Sequence, residues 1–233
     1  MQYMSKTNEV VSVVISTRKI DDAYLKHVEK MFSHPKTEIL IYENDGTSSL
    51  TEIYNQGLKD SKNDIVVFMH DDLILETQNM TPKIVKLFEK HSDYGIIGLA
   101  GTNNLMSGTW WQDRDSMFGI VGHEHNGKRH VNKYSKQEYN EKLKRVTIVD
   151  GLFFMVHKQR IKKEFNIEFQ GFHFYDISFC VDNFLEDVKI GVTTKIKVTH
   201  KSIGATNKQW EKNRLFFHAL YEPKLPLIPN TDY

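Results

Sequence analysis

The stretch Asp64-Ile65-Val66-Val67-Phe68-Met69-His70-Asp71-Asp72 decides how this chain is read. Its apolar run, β-branched at the start, fits a strand buried on both faces, as in a parallel sheet. The run stops abruptly at an imidazole followed by two adjacent carboxylates. Like charges at the end of a buried strand repel unless a cation or hydrogen bonds offset them. The residues alone leave two readings open. Asp71 and Asp72 form a turn or cap, as Asp commonly does, or they form a site for a divalent cation that prefers hard oxygen ligands.

Upstream, Val11-Ser12-Val13-Val14-Ile15-Ser16 has the same doubly apolar character, and Asp21 to Phe32 keeps Ala23, Leu25, Val28, Met31 and Phe32 near helical spacing. Glu38 to Tyr42 predicts another strand, closed by the turn formers Glu43-Asn44-Asp45-Gly46-Thr47-Ser48-Ser49. Leu50 to Ser61 predicts a helix. Strands and helices alternating through connections too long for hairpins predict βαβ units. Ligands of such sheets sit at the carboxyl ends of the strands, where Thr17-Arg18, Glu43-Asn44 and His70-Asp71-Asp72 all fall.

Downstream, a helix is expected from Pro82 to His91 and a strand from Gly95 to Ala100, after which the pattern breaks. Residues 101–145 are rich in Gly, Asn, His, Lys and Ser and predict a long loop or lid, with Trp110 and Trp111 embedded in it. His123, His125 and His130 invite a zinc reading, but there is no cysteine beside them and their spacing fits no zinc pattern. Order resumes at Val146 to Val156, interrupted by Asp150-Gly151, which marks a bulge or a close backbone approach to a ligand. A loop and helix start follow in Phe169 to Leu185, then a strand from Val192 to Thr199 and an amphipathic helix from Lys208 to Tyr221.

The 233 residues, 39% hydrophobic, suffice for one sizeable α/β domain. Lys and Arg total 31 against 30 Asp and Glu, which gives no global reason to expect a nucleic-acid partner. The lone Cys180 lies in an apolar run, so an internal disulfide is impossible and a reduced compartment is expected. No apolar run approaches the roughly 20 residues of a membrane span, and Met1 to Val10 lacks a signal-peptide core. A cytoplasmic location is the expectation.

Several motifs carry a family resemblance. Val11 to Thr17 resembles the first strand of family 2 glycosyltransferases, and Glu38 to Asn44 looks like their second strand with its acidic nucleotide contact. Tyr54-Asn55-Gln56-Gly57-Leu58 resembles the helix before the metal motif, and Asp64 to Leu73 the strand that delivers it. Gly108-Thr109-Trp110-Trp111, Val149-Asp150-Gly151, His173-Phe174-Tyr175-Asp176 and Val198-Thr199-His200-Lys201-Ser202 look like a glycosyltransferase-like branch whose metal motif reads His-x-Asp. The resemblance covers roughly Val11 to Thr206.

That resemblance implies a single GT-A-type α/β domain over 1–233, with a mainly parallel central sheet and flanking helices. A Rossmann-like nucleotide-binding half would span about 1–100, the loop or lid 101–145, and an acceptor-side half 146–233. The implied donor is a nucleoside diphosphate sugar, UDP-linked. Thr17, Arg18, Glu43, Asn44, Asn55, His70 and Asp71 would surround it, with Glu43 on uracil or ribose and Asn55 near ribose or diphosphate. Asp72 and His200 would hold manganese or magnesium. Asp176 would be the base of an inverting transfer, and Trp110, Trp111, Asp150, Gly151, His173 and Tyr175 would contact sugar or acceptor, the tryptophans by stacking or by anchoring their loop. The acceptor would be a glycan, a lipid-linked molecule or a small molecule, and a homodimer is compatible with the apolar positions of the last helix. Because His70 replaces the first carboxylate of the usual Asp-x-Asp motif, a nucleotide-sugar-binding module that has lost transfer is the alternative. A nucleotidyltransferase is disfavoured, since no Gly-rich basic loop follows the first strand.

Overall fold

The computed structural model describes residues 10–125, 127–134, 143–202, 204 and 206–230. The N-terminal residues 1–9 and Lys142 of the basic run Lys142 to Arg145 lie outside them, as does the side chain of His125. The elements run β1 (Val11–Thr17), α1 (Asp22–Phe32), β2 (Glu38–Glu43), α2 (Leu50–Asp60), β3 (Ile65–His70), β4 (Leu73–Leu75), α3 (Met80–Lys90), β5 (Tyr94–Gly98), β6 (Ala100–Thr102), β7 (Met117–His125) and β8 (Lys128–Lys133). Then come β9 (Lys144–Val146), β10 (Ile148–Val149), β11 (Phe153–His157), α4 (Tyr175–Phe184), β12 (Lys189–Val192), β13 (Val198–His200) and α5 (Lys208–Tyr221).

Local chemistry explains where the helices begin. Asp21 accepts hydrogen bonds from the Ala23 and Tyr24 amides at the start of α1, and Ser49 and Glu52 form a reciprocal capping box on α2. The apolar runs that predicted β1 and β3 are buried from end to end. They pair in parallel, Val14 opposite Phe68, in a seven-stranded sheet ordered β2-β1-β3-β11-β5-β12-β9. Five of its strands share one direction; β11 and β9 run against it. Helices flank the sheet, and the fold is the mixed α/β single domain expected.

A second sheet, ordered β10-β6-β7-β13-β4 with β8 paired to β7, lies beyond the carboxyl end of β3. The Asp71-Asp72 turn carries the chain from β3 in the first sheet to β4 in the second. Two expectations need correction here. The stretch 101–145, expected as a long loop or lid, is largely strand among its described residues and includes the β7–β8 hairpin whose register sets His123 opposite His130. The strand expected over Val192 to Thr199 is two short strands, β12 and β13, in different sheets. Among the described residues no helix is long and apolar enough to cross a membrane.

Candidate active site

Three side chains converge where the two sheets meet. His70 closes β3, Asp72 follows in the turn, and His200 closes β13, which pairs with β4 so that His200 lies opposite Leu73. His70 Nδ1, Asp72 Oδ1 and His200 Nε2 all lie within 4.8 Å of one another. His200 Nε2 is 3.1 Å from Asp72 Oδ1, 3.4 Å from His70 Nδ1 and 3.1 Å from Ser202 Oγ. Asp72 Oδ1 is buried yet has no well-aligned hydrogen bond. Two ring nitrogens facing each other across an unsatisfied carboxylate oxygen form a donor set that fits a divalent cation.

The electrostatics agree. Burial pushes the Asp72 carboxyl up, but the adjacent His200, with help from Ser202 and His70, outweighs it and holds the group at about 2. Burial lowers the basicity of His200, yet Asp72 and Asp150 more than restore it, so its value is raised. Burial and the neighbouring His200 keep His70 below the usual histidine range.

His70 is oriented from behind. Its Nε2 lies 2.8 Å from the hydroxyl of Tyr175, whose ring packs edge-on against Tyr54 at 5.4 Å. In the tautomer with the proton on Nε2, His70 donates to Tyr175 and turns the Nδ1 lone pair toward Asp72 and His200. Tyr24 donates from its hydroxyl to the His70 carbonyl at 3.0 Å.

Asp176, in the first turn of α4, accepts from the Gly151 amide at 2.7 Å. Burial and the charge of Asp150 push its carboxyl up to about 7. A Cβ on Gly151 would stand 2.1 Å from the Tyr175 hydroxyl and 2.9 Å from Asp176 Cβ. The close approach expected at Asp150-Gly151 is therefore an approach to α4 by the chain itself. Asp150 uses one oxygen on the Leu152 amide. Phe174, just before α4, has φ 65°, a left-handed conformation that costs a β-carbon-bearing residue of order 1–3 kcal/mol. Its packing on Trp210 and Phe217, with ring centroids 5.6 and 5.5 Å away, holds it there.

Two cavities of about 460 Å³ each share His70 and Phe172 as a common wall. The first is lined by Thr17, Arg18, Asn44, Tyr54, Asp71 and Asp72. The second gathers Trp110, Trp111, Asp150, Gly151, His173, Tyr175, Asp176 and His200. Trp110 is buried and anchors its segment, whereas Trp111 is 40% exposed and packs against Trp210 at 6.1 Å.

Two residues expected at the site stand apart from it. Glu43 is exposed, lines neither cavity and accepts a long hydrogen bond, 3.4 Å, from the Ile20 amide. Asn55 is spent on the backbone of Phe165, donating to its carbonyl and accepting from its amide at 2.8 Å each, and it lines a separate groove. Phe172 and Trp210 were not foreseen at the site, Ser202 stands in the sequence only within the His200 motif, and His123 only as a zinc candidate. His123 sits beside His200 in the strand register with ring centroids 6.0 Å apart, and its buried Nδ1 lacks a partner.

Residues 10–221 match the glycosyltransferase-like family. No curated protein matches the chain in sequence. Among solved structures, GalNAc-T7 with UDP, GalNAc and Mn2+ has a TM-score of 0.63 at 10% identity, over 94% of this chain and 50% of that one. The mannosyltransferase PcManGT from Pyrobaculum calidifontis, in complex with GDP-Man and Mn2+, has a TM-score of 0.57 at 9% identity, over 96% and 67%. The chain thus spans half the length of the first and about two thirds of the second. At such identities these are likenesses of fold.

Proposed function

The chain belongs to the glycosyltransferase-like family, and from that premise we propose that it moves a sugar from a nucleoside diphosphate donor, UDP-linked, to an acceptor hydroxyl. The observation that carries this reading is the meeting of two cavities at His70, with the His70, Asp72 and His200 donor atoms at the junction and Asp176 in the lining of the second. The first cavity takes the nucleotide, beneath Thr17, Arg18, Asn44 and Asp71. The second takes the acceptor. The Mn2+ and nucleotides bound by the two structural neighbours support a nucleotide held with a divalent cation.

His70, Asp72 and His200 would hold the cation. Mixed imidazole and carboxylate donors suit manganese at least as well as magnesium, and either ion would stabilise a departing diphosphate. Tyr175 orients His70 through its other ring nitrogen, whereas Ser202 faces the same His200 Nε2 that would take the cation. Asp176, with one oxygen fixed by the Gly151 amide and a carboxyl titrating near neutrality, takes the proton of the acceptor hydroxyl as that oxygen attacks the anomeric carbon. The diphosphate leaves from the opposite face, so the configuration inverts. Trp111 and Trp210 offer aromatic faces to a sugar ring. Since His70 contributes a donor atom where a carboxylate was expected, its presence favours a working enzyme over a module that only binds nucleotide.

Calorimetry of UDP and GDP with and without Mn2+ tests the donor side. UDP is expected to bind more tightly with the ion, and Asp72→Ala is expected to abolish that increment. Equal affinity of the variant and the native chain would refute the metal assignment.

A further inference from the structure

Resting on the acceptor reading above, we infer that the acceptor carries a negatively charged group, phosphate or carboxylate, set away from the reacting hydroxyl. The second cavity does not end at Trp111. A groove of about 390 Å³ continues from it, sharing Trp111, Met117 and Tyr134 as its wall, and is otherwise lined by Arg114, Val131, Asn132 and Lys133. The charge changes along this path. Carboxylates of Asp150 and Asp176 line the inner cavity, whereas the outer groove has two cations and no acid in its lining.

Those cations are available. Arg129 of the same hairpin pairs with Glu76, and Asp113, next to Arg114 in sequence, is engaged by Asn104 and Ser116. Among the described residues neither Arg114 nor Lys133 has a carboxylate partner. The nearby basic residues of β9 are not part of this groove: Arg145 donates to the Asn230 carbonyl and Lys144 sits over the Phe118 ring at 4.6 Å. Guanidinium and ammonium groups beside an aromatic floor suit an anionic sugar unit, the ring stacking on Trp111 and the charge meeting Arg114 and Lys133. A neutral acceptor would leave both cations unused.

The test titrates the full chain, with UDP and Mn2+ present, with mannopentaose, mannopentaose 6-phosphate and tetragalacturonate. Both anionic oligosaccharides, or one of them, should bind about tenfold more tightly than mannopentaose, and the preference should shrink in 0.5 M salt as screening requires. Arg114→Glu with Lys133→Glu should remove the preference, with binding of UDP and Mn2+ unchanged. Preference for the phosphate alone or the uronate alone identifies which anion the groove takes. Equal or absent binding of all three, or a preference that survives the double charge reversal, overturns the inference. If the inference is overturned, an intact metal-dependent UDP response leaves the transferase reading standing; if instead the anion preference holds and that response is lost, only the donor assignment falls.

Discussion

The two cavities that meet at His70 are built in different ways. The floor of the proposed donor cavity comes mainly from strand ends and turns between Ser16 and Asp72, and Asn44 closes its own turn on Gly46 and Ser48 while Thr17 bonds the Lys19 carbonyl. The proposed acceptor cavity is assembled from segments around residues 110, 123, 150, 175, 200 and 210, and it keeps a buried atom without a partner, His123 Nδ1, beside the raised carboxyl of Asp176. A preformed floor suits a ligand common to many enzymes, and a composite wall suits one that differs among them. Variation in the second wall can alter the acceptor without disturbing the first.

That separation can be broken or sharpened by experiment. Asp176→Asn should lower the transfer rate by about 10²–10⁴-fold and leave metal-dependent nucleotide affinity within about twofold, as measured by turnover and calorimetry. Coupled loss of both would mean that the walls are not independent. Tyr175→Phe acts across the boundary. Removing the hydroxyl that orients His70 should weaken Mn2+ binding by about 10–100-fold while circular dichroism stays native.

The pH profile should follow the acceptor side. As the proposed base, Asp176 acts only when ionised, so the rate should fall about tenfold per unit as pH drops below about 7. The same raised value has a stability sign. The folded chain is penalised as pH rises from the ordinary carboxyl range through about 7, so the thermal gain from Asp176→Asn should be larger at pH 8 than at pH 5. The smallest effect is expected for Trp111→Ala, a several-fold rise in acceptor KM with kcat little changed, in line with about 0.5–1.5 kcal/mol for an aromatic contact.

The donor half was legible because its signals are short in range. Buried runs such as Val11 to Ile15 and Ile65 to Met69 announce parallel strands without help from distant residues. The acceptor half depends on pairings the chain makes over long separations, as when β11 inserts against β3 and β5. One local signal was there to be used. β7 and β8 are separated by Asn126-Gly127, the dipeptide that favours a two-residue hairpin, and Gly127 has φ +70°. Asn55 was misplaced because its helix was right and its facing was not: the side chain meets Phe165 from 110 residues away. Trp210 fitted a helical stripe, and nothing within α5 could reveal that Trp111 lay opposite.

The donor triad also has a mechanical side. His70 and His200 are 130 residues apart and end strands of different sheets, so a cation bound between them is a cross-link closing a very long loop. Ion occupancy and the melting of the whole fold are then one coupled equilibrium. A hundredfold excess of free ion over its dissociation constant would add about 2.7 kcal/mol to the unfolding free energy. Stripping the ion with a chelator should soften the seam between the sheets first, and hydrogen exchange at β4 and β13 would report it.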